Sequence, residues 1–369
     1  MNNQRIDGVD FWRGLVLIVI FINHLPGNYF ENWTPRNFGF SDSAEAFVFL
    51  SGVAVALAYV GRMMKGDLVT VLTGLGRRAR LLYFYHLGLT FAACVLFATA
   101  DYLIEHMAFM TEHGRDVLVT APLDALLGIL GLSHQLGYFN ILPLYFVLLV
   151  LAPVLLWLAV RSLALMLAAS GLIYLAATLG GLHLPGWPVQ HGWFFNPFAW
   201  QFIFAIGIAA GFMLRTGRPI PRLGPLLLAA LACDLIGALL VSDLFGQAPG
   251  LLASMTWLDA YKSKTDLGIV RLVDFLALAY ALHTLRVTAW LRGRAIFIPL
   301  TRMGRHGLAI FSAGSILTAI GQIAMRSWNT NWVFDLAFIV LGVVLFDQLA
   351  RMLDESRARA LAAKAVARA

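Results

Sequence analysis

Long apolar runs alternate with short polar stretches along nearly the whole chain. A helix needs about 20 apolar residues to cross a bilayer. A window of that length predicts helices at roughly 9–24, 44–60, 81–100, 141–160, 162–180, 199–214, 223–241, 268–286, 305–324 and 332–350. A weaker apolar stretch, 121–132, predicts a re-entrant or interfacial helix. No internal repeat of halves or of short units is visible. The first run is followed by Asn23-His24-Leu25-Pro26-Gly27 rather than a small-residue cleavage pattern, so it is expected to stay as a first span. The expectation is a single membrane domain over 1–350 and a basic cytoplasmic tail over 351–369. The Ala/Arg-rich part of that tail, from Ser356, should be amphipathic or disordered.

The basic residues test the count, because Lys and Arg concentrate in cytoplasmic loops. With the N-terminus inside, one side holds Arg5, the 61–80 loop (Arg62, Lys65, Arg77, Arg78, Arg80), Arg161, Arg215, Arg218 and Arg222. The same side holds the 286–305 loop (Arg286, Arg292, Arg294, Arg302, Arg305) and the tail (Arg351, Arg357, Arg359, Lys364, Arg368). The other side holds only Arg36, Arg115, Lys262, Lys264 and Arg326. So one-sided a split predicts an all-α integral membrane protein of about ten transmembrane helices with both termini cytoplasmic.

Composition agrees. Apolar residues make up 60% of the 369 and charged ones 13%, about half the usual soluble share; mean hydropathy is +0.78. The net charge of +7 then bears on topology, and nucleic acid is not implied as a partner. Cys94 and Cys233 both lie in apolar runs, so no disulfide framework and no metal site is expected. His134, His183 and His191 lack ligand spacing and are expected to face solvent. Gly207 and Gly211 form a small-xxx-small pair, which predicts close helix packing.

Charges inside spans are costly and mark functional candidates. Arg13 and His24 are eleven residues apart, about 20° beyond three full turns, so both project from one helix face. Asp10 lies on the same stripe, and Asn23, a candidate for binding substrate, lies beside its outer end. One reading has Arg13 snorkelling to the inner headgroups and His24 marking the outer interface. The other is a track with a cytoplasmic anion anchor, Arg13, and a proton-transfer group, His24. Asp42 and Glu45 form a capping-box pattern, and one of these carboxylates is a candidate to orient the imidazole. Arg271 and Asp274 are three apart and can pair on one face, and Asp234 needs a partner, for which Arg271 is a candidate. Trp200 and Gln201 suit a sugar, the indole as a platform and the amide for hydroxyls; an interfacial anchor is the plainer reading of Trp200.

Asp10-Phe11-Trp12-Arg13-Gly14-Leu15, with His24 closing the interval, resembles the first-helix signature of the membrane acyltransferase family 3. The stretch from Arg5 to Gly27, Phe38 to Gly52, Ile141 to Tyr145, Asn196 to Gln201 and Leu267 to Arg271 resemble its OpgC branch. The resemblance implies a ten-helix enzyme of the bacterial inner membrane. Such an enzyme moves an acyl group, succinyl in the named branch, from a cytoplasmic acyl-CoA to a hydroxyl of a periplasmic glucan. No permanently bound cofactor is implied; succinyl-CoA or acetyl-CoA is a co-substrate. By residue, it supports His24 as the reacting histidine and Arg13 as its partner. Direct transfer and a covalent acyl-histidine both remain open. A transporter or flippase of a sugar-linked substrate is the rival reading, since it also needs charges within spans.

Overall fold

The computed structural model describes residues 7–105, 107–190, 192–242, 255–259, 261–328 and 330–366. Arg5, His191 and Arg368 lie outside the described residues, as does the side chain of Lys364. In chain order the helices are α1 (Asp7–Asn23), α2 (Ser43–Met63), α3 (Leu68–Leu103), α4 (Asp116–Thr120), α5 (Pro122–Leu130), α6 (Ile141–Arg161) and α7 (Leu163–Gly180). They continue with α8 (Pro197–Thr216), α9 (Gly224–Val241), α10 (Ile269–Thr284), α11 (Val287–Leu291), α12 (Phe297–Arg305), α13 (Gly307–Ser327) and α14 (Trp332–Val366). Among the described residues there is no strand.

A helix stands at each of the ten predicted places. Eight of them (α2, α3, α6, α7, α8, α9, α13 and α14) are long and apolar enough to cross a membrane. The other two are shorter, α1 with 17 residues and α10 with 16, and these carry Asp10, Arg13, Arg271 and Asp274. The expected 121–132 helix is α5.

Two predicted loops are helical instead. α3 begins inside the expected 61–80 loop, where Asp67 caps it by accepting the Thr70 N–H. Its buried positions Val71, Leu75, Ala79 and Leu82 form one stripe at helical spacing, so arginines on the other faces do not interrupt it. The expected 286–305 loop contains α11 and α12. The tail, expected to be amphipathic or disordered from Ser356, continues α14 as far as Val366, the last described residue.

The chain forms two compact units, Met1–Thr34 with Arg286–Ala369, and Pro35–Leu285. In the first, α1 and α12 run antiparallel at backbone distance. Gly14 lies against the Leu300 carbonyl and Gly304 against the Asp10 carbonyl, and neither site has room for a side chain. α13 runs parallel to α1, since Gly307 adjoins Arg13 while Gln322 Nε2 donates to the His24 carbonyl at 3.0 Å. Phe21 packs on Phe346 of α14 with ring centroids 5.2 Å apart. In the second unit, α2 and α8 are the most closely associated helices. Gly207 and Gly211 abut the Phe49 and Val53 carbonyls, the close packing expected of that pair.

Candidate active site

In the first unit, Arg13 and His24 face one neighbour, α13. Arg13 Nη1 lies 3.8 Å from Asp10 Oδ1 of the same stripe. A β-carbon at Gly307 would sit 2.9 Å from Arg13 Nη2, so the bare helix start makes room for the guanidinium. Eleven residues further along each helix, His24 shares a cavity with Ser315 and Thr318, walled by Leu17, Phe21 and Phe311. Its volume is about 10 Å³, the scale of a single water. A pantetheine arm does not fit that space unless side chains move.

Asn23 is the last residue of α1 and leads into the turn that follows. It is buried and its Oδ1 accepts the Thr34 hydroxyl at 2.6 Å, so the amide predicted to bind substrate is engaged in shaping the chain. Asn28, which sequence reasoning passed over, ties the same turn. It accepts from the Phe30 and Glu31 N–H groups and donates to the Ile22 carbonyl.

The second unit gathers Asp42, Glu45 and Arg271 into one buried cluster. The capping box is present: Asp42 accepts the Ala44 N–H at 2.7 Å and Glu45 Oε2 accepts the Asp42 N–H at 2.9 Å. Glu45 has no exposed surface, and its Oε1 accepts Arg271 Nε at 2.7 Å. Arg271 Nη2 reaches on to Asp42 Oδ2 at 3.2 Å, and Lys264 Nζ donates to the same oxygen. Two cations thus balance two carboxylates. Both oxygens of Glu45 are engaged, Oε1 by Arg271 and Oε2 by the Asp42 N–H. Burial alone would raise the Asp42 carboxyl; the Lys264 and Arg271 charges outweigh it and hold Asp42 well below its ordinary value of 3.8.

Lys264 gave no signal beyond one charge among the outer loops, yet its segment is fastened at many points. Trp200 donates its indole N–H to the Lys264 and Thr265 carbonyls at 3.0 and 3.1 Å. Asn196 donates its backbone N–H to Thr265 O and its amide to Asp266 Oδ1, both at 3.0 Å. Tyr174 donates to the carbonyl of Leu267, a residue held at φ +48°. These bonds correct the sugar-binding expectation. Trp200 has no exposed surface and meets Phe195 edge-on, so its face is not open to a sugar. Gln201 is likewise buried, giving Nε2 to the Ser170 carbonyl and accepting the Ser170 hydroxyl.

Asp274 is not paired with Arg271. It is buried and accepts the Ser41 N–H at 2.9 Å and the Ser41 hydroxyl at 2.6 Å, fixing the residue before the α2 cap. Asp234 lies half-buried on α9, and the hydrogen bonds of Arg271 go to Glu45 and Asp42 instead. His134 corrects the solvent-facing expectation: it is buried, with Nε2 2.9 Å from the Gly114 carbonyl. Burial pushes its pKa down, against that hydrogen bond and the nearby Asp116. His183 is partly exposed, with Nε2 3.4 Å from Asp266 Oδ1.

The helices and the polar first helix define a multi-pass, all-helical membrane protein. The family model described as OpgC protein matches residues 5–358, and the chain belongs to that family. No curated protein and no solved structure matches it.

Proposed function

We propose that this protein is a transmembrane O-acyltransferase of a bacterial inner membrane. It takes an acyl group, succinyl in preference to acetyl, from cytoplasmic acyl-CoA and places it on a hydroxyl of a periplasmic glucan. Family membership supports the reaction class. The observation that carries the reading is that Arg13 and His24 face one helix, eleven residues apart, with parallel α13 spanning the same interval.

His24 acts as general base. The acceptor oxygen attacks the thioester carbonyl carbon, its proton passes to the imidazole, the C–S bond breaks, and the proton returns to the departing sulfur. Such assistance is worth about 10²–10⁴-fold. Arg13 anchors anionic parts of the donor from the other end of the stripe, where Arg302 and Arg305 also lie, paired with Asp347 and Asp354. Asp42, Glu45 and Arg271 brace the start of α2 against α10. The proposal includes ten spans with cytoplasmic ends, a single catalytic domain over 1–350 and a basic cytoplasmic tail over 351–369. The parallel course of α1 and α13, the first and ninth in the count, is what ten spans require.

Purified protein in detergent, given succinyl-CoA and glucan, should release free thiol and yield succinylated glucan. His24→Ala should fold and lose at least a hundredfold in rate. Turnover of that variant at the wild-type rate would remove His24 from the chemistry. Uptake of glycan into vesicles with no thiol released would replace the enzyme reading with the transporter.

A further inference from the structure

Three polar side chains of α13, Ser315, Thr318 and Gln322, lie within an arc of about 60° on the side that meets α1. Each is buried. Ser315 returns its hydroxyl to the Phe311 carbonyl at 2.9 Å, the usual use of a serine inside a helix, and Ser312 does the same with Leu308. Gln322 donates to the His24 carbonyl. Thr318 differs from all three. Its residue is 3% exposed, its Oγ1 is fully buried, and that oxygen has no hydrogen-bond partner among the described residues.

A buried hydroxyl left without a partner lowers stability, and valine would fill the same shape without that cost. Such a group is explained when it serves something other than the resting fold. Thr318 borders the cavity that His24 borders, a space the size of one small polar atom. We propose that Thr318 is a catalytic residue whose hydroxyl donates a hydrogen bond to the thioester carbonyl oxygen as that oxygen becomes an oxyanion. This rests on the acyltransferase reading above and adds to it the group that stabilises the developing charge. When the acceptor oxygen bonds to the carbonyl carbon, the carbonyl π electrons move onto the oxygen that Thr318 faces. When the C–S bond breaks they return, and the proton taken by His24 goes to sulfur. Thr318 gives up no proton. Its bond is stronger in the transition state than in the ground state, so it acts on kcat rather than on donor binding.

The test compares Thr318→Val, which keeps the branch and removes the hydroxyl, with Thr318→Ser, which keeps the hydroxyl. Full-length protein in detergent is assayed with succinyl-CoA and glucan, with thermal unfolding followed in parallel. T318V should lose about 10²–10³-fold in kcat, the usual effect of losing one oxyanion donor. Its KM for succinyl-CoA should stay within a few-fold, and its unfolding temperature should be unchanged or higher. T318S should turn over within about fivefold of wild type. T318V at the wild-type rate, or an equal loss in T318V and T318S, overturns the proposal. If T318V does not accumulate, Thr318→Ala takes its place against Thr318→Ser: alanine far below serine supports the donor, and equal rates overturn it. Wild type and His24→Ala run as controls keep the two readings apart. A wild type inert with every acyl-CoA and acceptor tried defeats the acyltransferase reading itself. A wild-type rate in T318V beside an inactive His24→Ala defeats only the role of Thr318.

Discussion

Arg271 places two nitrogens, Nε and Nη2, each 2.7 Å from the same carboxylate oxygen of Glu45, and Glu45 has no exposed surface. An ion taken so far from water depends on its partner. Removing one member of a buried pair typically costs about 3–5 kcal/mol, because the other charge stays behind unmatched. Arg271→Ala should therefore lower the unfolding temperature in detergent steeply. Arg271→Lys should recover little, since an ammonium cannot bridge Glu45 and Asp42 with a planar fork. Wild-type unfolding of Arg271→Ala would show that the cluster does not hold α2 and α10.

Asp42 gives the cluster a pH dependence with a definite sign. Lys264 and Arg271 hold its folded-state pKa below the ordinary 3.8. A depressed carboxylate adds stability that is fully present above its unfolded pKa and lost as pH falls through the folded value. Asp42 should thus leave stability flat from pH 7 to about 5 and contribute to a decline only below about pH 4. Lys264→Met removes one of the two cations, so the Asp42 contribution should be lost at higher pH than in wild type. Acid unfolding curves of the two proteins, read as the shift in midpoint, measure this. Superimposable curves would mean that Lys264 does not act on Asp42.

Hydropathy located the ten long helices among the described residues because an apolar run of fixed length is written in the local sequence. It misplaced the start of α3 and the end of α14 for the same reason. A hydropathy window registers lipid-facing surface, whereas helices continue wherever one stripe stays apolar, as Val71, Leu75, Ala79 and Leu82 do. The common face of Arg13 and His24 was legible because angular spacing on one helix is arithmetic. The partners of Arg271 were not. Asp274 is three residues away, yet Glu45 and Asp42, more than two hundred residues distant, take its hydrogen bonds. Lys264 and Thr318 lacked any pattern, since their roles come from what surrounds them in space.

The Arg13-Gly14 step and Gly304 carry a packing prediction. A β-carbon at Gly14 or Gly304 would run into a backbone carbonyl of the facing helix, which cannot swing aside as a side chain can. Gly14→Ala and Gly304→Ala should each destabilise by about 1–3 kcal/mol or more. Gly88 provides the contrast. It sits inside α3, and an added methyl there would meet nothing within 4 Å. Gly88→Ala should be neutral or stabilising by about 0.4–1 kcal/mol, since alanine loses less chain entropy in a helix. Thermal unfolding of the three variants side by side separates contact from propensity, and equal behaviour would refute the close approach of α1 and α12.

Ten spans with cytoplasmic ends make a prediction about the hairpin of α13 and α14. Asn331, between these helices, should face the periplasm, whereas the exposed Ser356 on the far part of α14 should face the cytosol. With Cys94 and Cys233 replaced by serine, a cysteine at Asn331 should react in intact cells with a thiol reagent that does not cross the inner membrane. A cysteine at Ser356 should react only after the membrane is opened. α14 is continuous through both faces of the bilayer under this arrangement, and its 35 residues, about 52 Å long, leave several turns beyond the hydrocarbon. The reverse labelling pattern would invert the protein and place the Arg13 end of the stripe outside, where no acyl-CoA is available. Labelling of both positions in intact cells would mean that α14 does not cross, and the ten-span count would fail.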